Sequence, residues 1–288
     1  MPRHLPVFSF DGAAHRPATL SKPRPPQVHV SDEFSSCTAP VSPVVSEDDL
    51  VSFYLFRHGE TNFNAVGRIQ GTLDSSRLTE QGVSQALEAG KALASFPGLD
   101  LGSTVVVSPM RRAQQTLDCV REEMKRVGKD FSTVEVVTDI REIELFEWQG
   151  KLKDDLKNEM PEDYAMWKAD PTNFNLGGRY PARDLWVRAR SSWEEIWSLE
   201  SIKNQRKTLV VAHNAINQAL LWTALGADVS LFRKLSWPNC AVLELQWRRG
   251  KEIAERYRWL LPEESSFVEA ADAEVLLRDA QSDTVFTL

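Results

Sequence analysis

Only two of the five histidines in this 288-residue chain, His58 and His213, lie beyond its first thirty residues, and each closes a short apolar run. The first run is Val51-Ser-Phe-Tyr-Leu-Phe, followed by Arg57-His58-Gly59. The second is Lys207-Thr-Leu-Val-Val-Ala, followed by His213. An imidazole beside a guanidinium, with a glycine that lets the backbone turn close to a ligand, suggests an anion site holding a nucleophile. Two further runs end in the same way: Ser103-Thr-Val-Val-Val leads through Ser108-Pro109 to Arg112, and Val134-Glu-Val-Val137 leads to Glu142. These are the groups that phosphoryl transfer through a covalent phosphohistidine requires. A neutral imidazole attacks phosphorus while arginines and the second histidine hold the equatorial oxygens. A carboxylic acid protonates the leaving alkoxide and then, as carboxylate, deprotonates the attacking water. Guanidinium groups supply the charge neutralisation, so this chemistry needs no metal and no other cofactor. Two competing readings are strand ends with polar residues facing water, and a histidine metal site. Against the latter, neither histidine has an i,i+4 histidine partner or nearby Asp/Glu at ligand spacing.

Such residues converge only if the runs that carry them lie side by side. Each run is too short for a helix and rich in β-branched or aromatic residues, as buried parallel strands are. Helical periodicity fills the intervals. Thr79 is placed as the N-cap of a helix with Val83, Ala86, Leu87, Gly90 and Leu93 on one face. Pro109 starts a helix that buries Leu117, Val120, Met124 and Val127. Asp184 to Ile202 carries Leu185, Ala189, Trp193, Ile196 and Trp197 along one side, and an apolar helix spans Ala215 to Leu225. Ala241 to Trp247 and Ile253 to Leu260 alternate as strands joined at Arg249-Gly250, a hairpin. This order predicts an α/β fold of three layers, α/β/α, with a mostly parallel central sheet whose carboxyl edge is the place for a ligand. Residues 145–183 interrupt the strand–helix rhythm and read as an inserted cap segment over that edge. All nine tryptophans follow residue 147; most are assigned to packing, and one in the insertion could line a pocket.

Composition bounds the remaining choices. The balance of 34 basic and 41 acidic residues, net charge -7, argues against nucleic-acid binding through bulk electrostatics. Cys37, Cys119 and Cys240, odd in number and widely spaced, fit neither a disulfide framework nor a zinc site and favour a reducing compartment. No apolar run approaches membrane-spanning length. Residues 1–48 are proline- and serine-rich without hydrophobic periodicity, and read as a disordered leader. Their first thirty hold one acid, Asp11, against Arg3, Arg16, Lys22 and Arg24. That composition permits a transit peptide, to the chloroplast for example, or a plain extension of a cytoplasmic protein. A domain over 49–262 and an exposed acidic tail over 263–288 complete the division. The oligomeric state is left open.

Four segments carry a resemblance: Leu55-Phe-Arg57-His58-Gly59-Glu60-Thr61-x-x-Asn64, Leu78-Thr79-x-x-Gly82, Ser108-Pro-x-x-Arg112-Ala113 and Val210-Val-Ala-His213. In order and spacing, from about residue 51 to 226, they resemble the histidine phosphatase superfamily, also called phosphoglycerate mutase-like. The resemblance implies His58 as the phosphorylated nucleophile, Arg57, Asn64, Arg112 and His213 as the phosphate pocket, and Glu142 as proton donor. Glu144 is a rival, since it shares a face with Glu142 on an extended strand. The spacing from Glu142 to Gly150 resembles that of the family's acid to its following glycine. Arg68, Gln70 and Gly71, in the polar loop after the nucleophile, are placed in the substrate site.

Departures from the common pattern fall at Arg141-Glu142-Ile-Glu-Leu-Phe-x-Trp148-Gln149-Gly150, at Gly177-Gly178-Arg179-Tyr180-Pro181-x-Arg183, and at His213-Asn214, where most members have glycine after the histidine. They resemble the plant and algal 2-carboxy-D-arabinitol 1-phosphatase-like branch. Arg179 and Arg183 would suit a substrate with a second anionic group, and Asn214 to Gln218 would contribute to specificity. The activity implied is hydrolysis of a small anionic phosphate ester, a sugar phosphate or sugar-acid phosphate. The alternatives are a phosphoglycerate mutase or fructose-2,6-bisphosphatase-like activity, or a non-catalytic module that binds a phosphate ligand or a protein.

Overall fold

Alternate residues of β1 (Leu50–Arg57) face opposite layers. Val51, Phe53 and Leu55 belong to one buried cluster and Tyr54 and Phe56 to another. This is why the run is almost continuously apolar: a strand covered on both sides has no face to leave polar. Residues 49–97, 99 and 101–272 are described in this computed structural model; the expected leader, 1–48, and residues 273–288 of the expected tail lie outside them.

The chain continues through α1 (Asn62–Ala65), α2 (Glu80–Ser95), β2 (Thr104–Val107), α3 (Arg111–Arg126) and β3 (Thr133–Val136). Next come α4 (Lys153–Glu159), α5 (Pro161–Ala169), α6 (Pro181–Ser198), β4 (Lys207–Ala212) and α7 (Asn214–Ala224). It ends in β5 (Val242–Arg248), β6 (Arg256–Leu261) and β7 (Val268–Glu269). The sheet order is β3-β2-β4-β1-β5-β6-β7. β3, β2, β4 and β1 are mutually parallel, and β5, β6 and β7 each run antiparallel to the preceding neighbour, so β6 again points along β1. Five of the seven strands therefore share one direction, which is the mostly parallel α/β sheet expected. Residues of α2 and α3 cover one face, with Ala86, Leu93, Leu117 and Val120 in the cluster of Tyr54 and Phe56. Residues of α6 and α7 cover the other, with Leu185, Trp193, Ile216 and Leu220 against Phe53 and Leu55.

Several expectations are corrected in detail. Val83 and Val127 are exposed, at 38% and 52%, because α2 turns Gly82, Ala86, Ala89 and Gly90 inward and Val127 lies past the end of α3. Gly90 packs close enough to Val120 that a Cβ would fall 2.8 Å from its Cα. β3 is an edge strand with Val134 and Val136 facing outward. α6 starts at Pro181, which fits the first helical turn because its missing N–H has no partner there. The expected tail begins inside the sheet: Tyr257 pairs with Val268 and Arg256 with Glu269.

On the β1–β5–β6 surface, Glu244 is 3% exposed and accepts from Ser52 Oγ (2.8 Å), Tyr54 Oη (3.2 Å), Gln246 Nε2 (3.1 Å) and Arg258 Nε (2.7 Å). Burial alone would raise its carboxyl pKa, but the donors from Ser52, Arg258 and Gln246 outweigh burial and hold it below 4.5. A carboxylate with a depressed pKa stabilises the fold above its unfolded-state value and loses that contribution as pH falls through the folded one. Glu244→Gln should therefore lower stability at neutral pH by about 3 kcal/mol, the scale for breaking a buried ion pair. In urea titrations the difference from wild type should shrink as the pH drops below about 4.5. A difference that is constant with pH would contradict this.

Candidate active site

The β1–β4 register brings the two histidines together. Arg57 pairs with Ala212 across parallel strands, and His58 N–H donates to the Ala212 carbonyl at 3.0 Å. The next residue on each strand is a histidine, and their ring centroids lie 5.1 Å apart. Beyond them β2 pairs with β4, Val107 opposite Val211, and Ser108 follows one residue short of the histidine row, its N–H on the Val211 carbonyl. Packing requires a glycine here: a Cβ at Gly59 would sit 2.5 Å from the Gly82 carbonyl oxygen, where α2 begins. Thr116 Oγ1 of α3 accepts the Gly59 N–H at 3.0 Å, so both helices fix the turn that presents His58.

His58 Nδ1 lies 2.7 Å from the Gly59 carbonyl oxygen. A carbonyl only accepts, so Nδ1 carries the proton and Nε2 keeps a free lone pair. His213 has the opposite tautomer. Arg112 Nε donates to its Nδ1 at 3.1 Å, and its Nε2–H donates to Ser108 Oγ at 2.7 Å. Burial first, then the charge of Arg112, pushes both imidazole pKa values well below 6.5. Both rings are neutral at physiological pH, and one offers a nucleophilic nitrogen.

Glu142 faces them from the segment after β3. Its carboxylate accepts from Ile143 N–H (2.9 Å), Ala215 N–H (3.1 Å) and Ile216 N–H (3.3 Å), the last two at the first turn of α7, where unpaired N–H groups favour an anion. Of the two acids, Glu142 lines the cavity, while Glu144 is exposed and does not.

A cavity of about 400 Å³ opens at this point and is lined by Arg57, His58 and Glu142, together with Asn64, Arg68, Gln70, Gly71 and Asn214. Asn64 Oδ1 accepts from Thr61 N–H at 3.2 Å and Oγ1 at 3.0 Å, Gln70 Oε1 accepts from Thr61 Oγ1 at 3.0 Å, and Arg68 donates to the Gly150 carbonyl. Arg57 donates to the Trp237 carbonyl, while its buried Nε–H has no acceptor among the described residues. Arg112 and His213, expected in the wall, are fully buried behind His58 and absent from the lining. Their nitrogens are committed to one another, to Ser108 and to the Gly71 and Leu73 carbonyls.

Arg179 and Arg183 are not brought together with these residues. Both are exposed and outside the lining: Arg179 stacks on Phe146 at 4.0 Å, and Arg183 stacks on Tyr180 and donates to the Thr172 carbonyl. The additional cations come from elsewhere. Lys153 of α4, Lys168 of α5 and Arg233 line the same cavity, with Tyr164 and Trp167 of the insertion. Arg233 lies over the Trp167 ring at 5.0 Å and donates to its carbonyl at 3.0 Å. Burial, then Lys168 and Arg233, lowers the Lys153 pKa from 10.5.

A profile described as "Histidine phosphatase superfamily (branch 1)" matches residues 53–260. The chain belongs to the histidine phosphatase superfamily. Among its relatives are a probable 2-carboxy-D-arabinitol-1-phosphatase of Arabidopsis thaliana, 41% identical over 193 residues, and the 2-carboxy-D-arabinitol-1-phosphatase of Triticum aestivum, 37% identical over 194. Each alignment covers 67% of this chain but 37% and 36% of those proteins, so the chain spans little more than a third of their length. The native structure of mycobacterial glucosyl-3-phosphoglycerate phosphatase superposes with a TM-score of 0.59 at 26% identity, over 73% of this chain and 97% of that one.

Within this histidine phosphatase frame, sequence reasoning missed Lys153, Lys168 and Arg233. No periodicity separates them from solvated lysines and arginines; only the fold of α4, α5 and the 229–238 segment brings them to the cavity. Long-range 1H–15N NMR should show His58 and His213 as neutral rings from about pH 8 to about pH 6, with opposite tautomers. Titration of either ring near its ordinary pKa, or a shared tautomer, would contradict the geometry.

Proposed function

We propose that this chain hydrolyses a small phosphate monoester that carries a second acidic group, a sugar-acid phosphate being the class that fits, through a phosphohistidine on His58. The observation that carries this reading is the free Nε2 of a neutral His58 in the wall of a cavity that also holds Glu142. His58 Nε2 attacks phosphorus as the ester P–O bond breaks, and the protonated Glu142 carboxyl delivers its proton to the leaving alkoxide. Glu142, now a carboxylate, takes a proton from water. The water oxygen bonds to phosphorus, the P–N bond breaks, and neutral His58 and inorganic phosphate result. Arg57, with its unused Nε–H, and Asn64 hold the phosphoryl oxygens. Arg112 supplies positive charge from behind, while its bond to His213 fixes that ring.

Five cationic side chains and one carboxylate line this cavity, in a chain whose net charge is -7. Arg57 and Arg68 lie near the nucleophile. Lys153, Lys168 and Arg233 add three more cations to the same lining, which suits a carboxylate or second phosphate on the same substrate. The names of the relatives are consistent with this: 2-carboxy-D-arabinitol 1-phosphate and glucosyl-3-phosphoglycerate each combine a phosphate ester with a carboxylate.

A panel of sugar phosphates, sugar-acid phosphates and phosphoglycerates should give free phosphate, fastest with the sugar-acid phosphates, and His58→Ala should abolish it. Lys168→Ala combined with Arg233→Ala should raise KM for a sugar-acid phosphate about tenfold or more, the scale of a charged hydrogen bond, and leave p-nitrophenyl phosphate within about twofold. Exchange of 2- and 3-phosphoglycerate without phosphate release would indicate a mutase. Binding of esters without turnover would indicate a non-catalytic module.

A further inference from the structure

Glu142 is held from two directions, through its carboxylate and through its backbone. Its carboxylate rests on the first turn of α7. Its backbone belongs to a segment that has left the sheet: after β3 the chain makes a single tight turn at Thr138–Ile140 and then runs irregularly to residue 145. The carbonyls of such a segment find no strand partner and need another donor. Arg188, in the second turn of α6, supplies it. Nη1 donates to the carbonyls of Arg141 at 2.8 Å and Asp139 at 3.3 Å, and Nη2 donates to the carbonyl of Glu142 at 3.0 Å.

Arg188 has no structural reason to be apolar, and its place in the helix is informative. It lies three residues after buried Leu185 and next to buried Ala189, on the margin of the face that α6 turns to the core. Burial first, then the neighbouring charge of Arg141, pushes its guanidinium down to about 10, so it remains charged at neutral pH. It does not line the cavity.

We infer that Arg188 is a positioning residue for the acid: its guanidinium fork fixes the 139–142 backbone so that Glu142 meets the leaving oxygen. This rests on the phosphatase reading and adds a residue to it that touches neither substrate nor phosphorus. Lysine is a poor replacement because its ammonium is a compact charge without the planar pair of donors that spans adjacent carbonyls. Displacing an acid by about 1 Å is enough to lose about a hundredfold in rate.

The test uses a property of the leaving group. An alkoxide needs Glu142's proton, whereas p-nitrophenolate leaves without it. In rapid-quench measurements of the first phosphoryl transfer on the full chain, Arg188→Met should slow transfer from glycerol 3-phosphate by about ten- to a hundredfold. Transfer from p-nitrophenyl phosphate should stay within about threefold, as should both KM values, and Arg188→Lys should fall between. Equal losses on the two esters, or a lowered melting temperature with unchanged rates, would overturn the assignment by making Arg188 structural only. If Arg188→Met does not fold, the same ester comparison on Arg188→Lys decides. Failure of the phosphatase reading looks different: the wild-type chain would then turn over neither ester.

Discussion

A guanidinium with no exposed surface must place its N–H groups on acceptors inside the protein, because an unpaired buried charge destabilises a fold by several kcal/mol. Arg112 satisfies this constraint, and much of the site follows from how it does so. Nε goes to His213 Nδ1, Nη2 to the Gly71 carbonyl at 2.8 Å, and Nη1 to the Leu73 carbonyl at 2.9 Å. One side chain of α3 thus ties the start of α7 to the loop that carries Arg68 and Gln70. The Gly71 carbonyl is available because Gly71 adopts φ +52°, where a Cβ would also strike Gln149 Oε1 at 1.9 Å. The same cation selects the His213 tautomer and disfavours protonation of His58. Burial, chiefly, takes Arg112 itself down to about 10, which leaves it charged at neutral pH.

Around that fixed centre the cavity is built from two kinds of element. His58 stands at a strand terminus and is held by backbone register. The rest of the lining includes residues of α4, α5 and the 229–238 segment, whose Trp237 carbonyl accepts from Arg57; there the Arg233 backbone N–H donates to Gln218 Oε1 at 2.8 Å and Gln218 Nε2 donates to Asn214 Oδ1 at 2.8 Å. A chain of side-chain bonds therefore runs from the residue after His213 to the loop carrying Arg233.

The strands, their alternation with helices and the residues at their ends were legible in the sequence because each leaves a local trace. Phe53 to Phe56 is apolar at every position, Thr79 caps α2 through the Gly82 N–H at 3.0 Å, and His58 and His213 each follow a strand. Glu142 was preferred to Glu144 on its spacing to Gly150; its contacts were not legible, since they are N–H groups about seventy residues away on α7. The surroundings of Arg179 and Arg183 were not legible for the converse reason: a pair of arginines in a glycine-rich segment has no periodicity to say which way it faces, and here each lies over an aromatic ring. Arg188 was overlooked although a trace existed, a charged residue on the edge of an apolar helix stripe. The leader and any role in targeting lie outside the described residues.

The central claim is that His58 Nε2 forms a bond to phosphorus. The direct measurement is a rapid acid-free quench of the chain turning over a 32P-labelled sugar-acid phosphate, followed by peptide mapping under alkaline conditions. The account predicts label on the peptide containing His58, stable to alkali and lost in mild acid, formed and discharged fast enough to support turnover, and absent from His58→Ala. Steady turnover by a His58→Ala chain, or label confined to another residue, would contradict it.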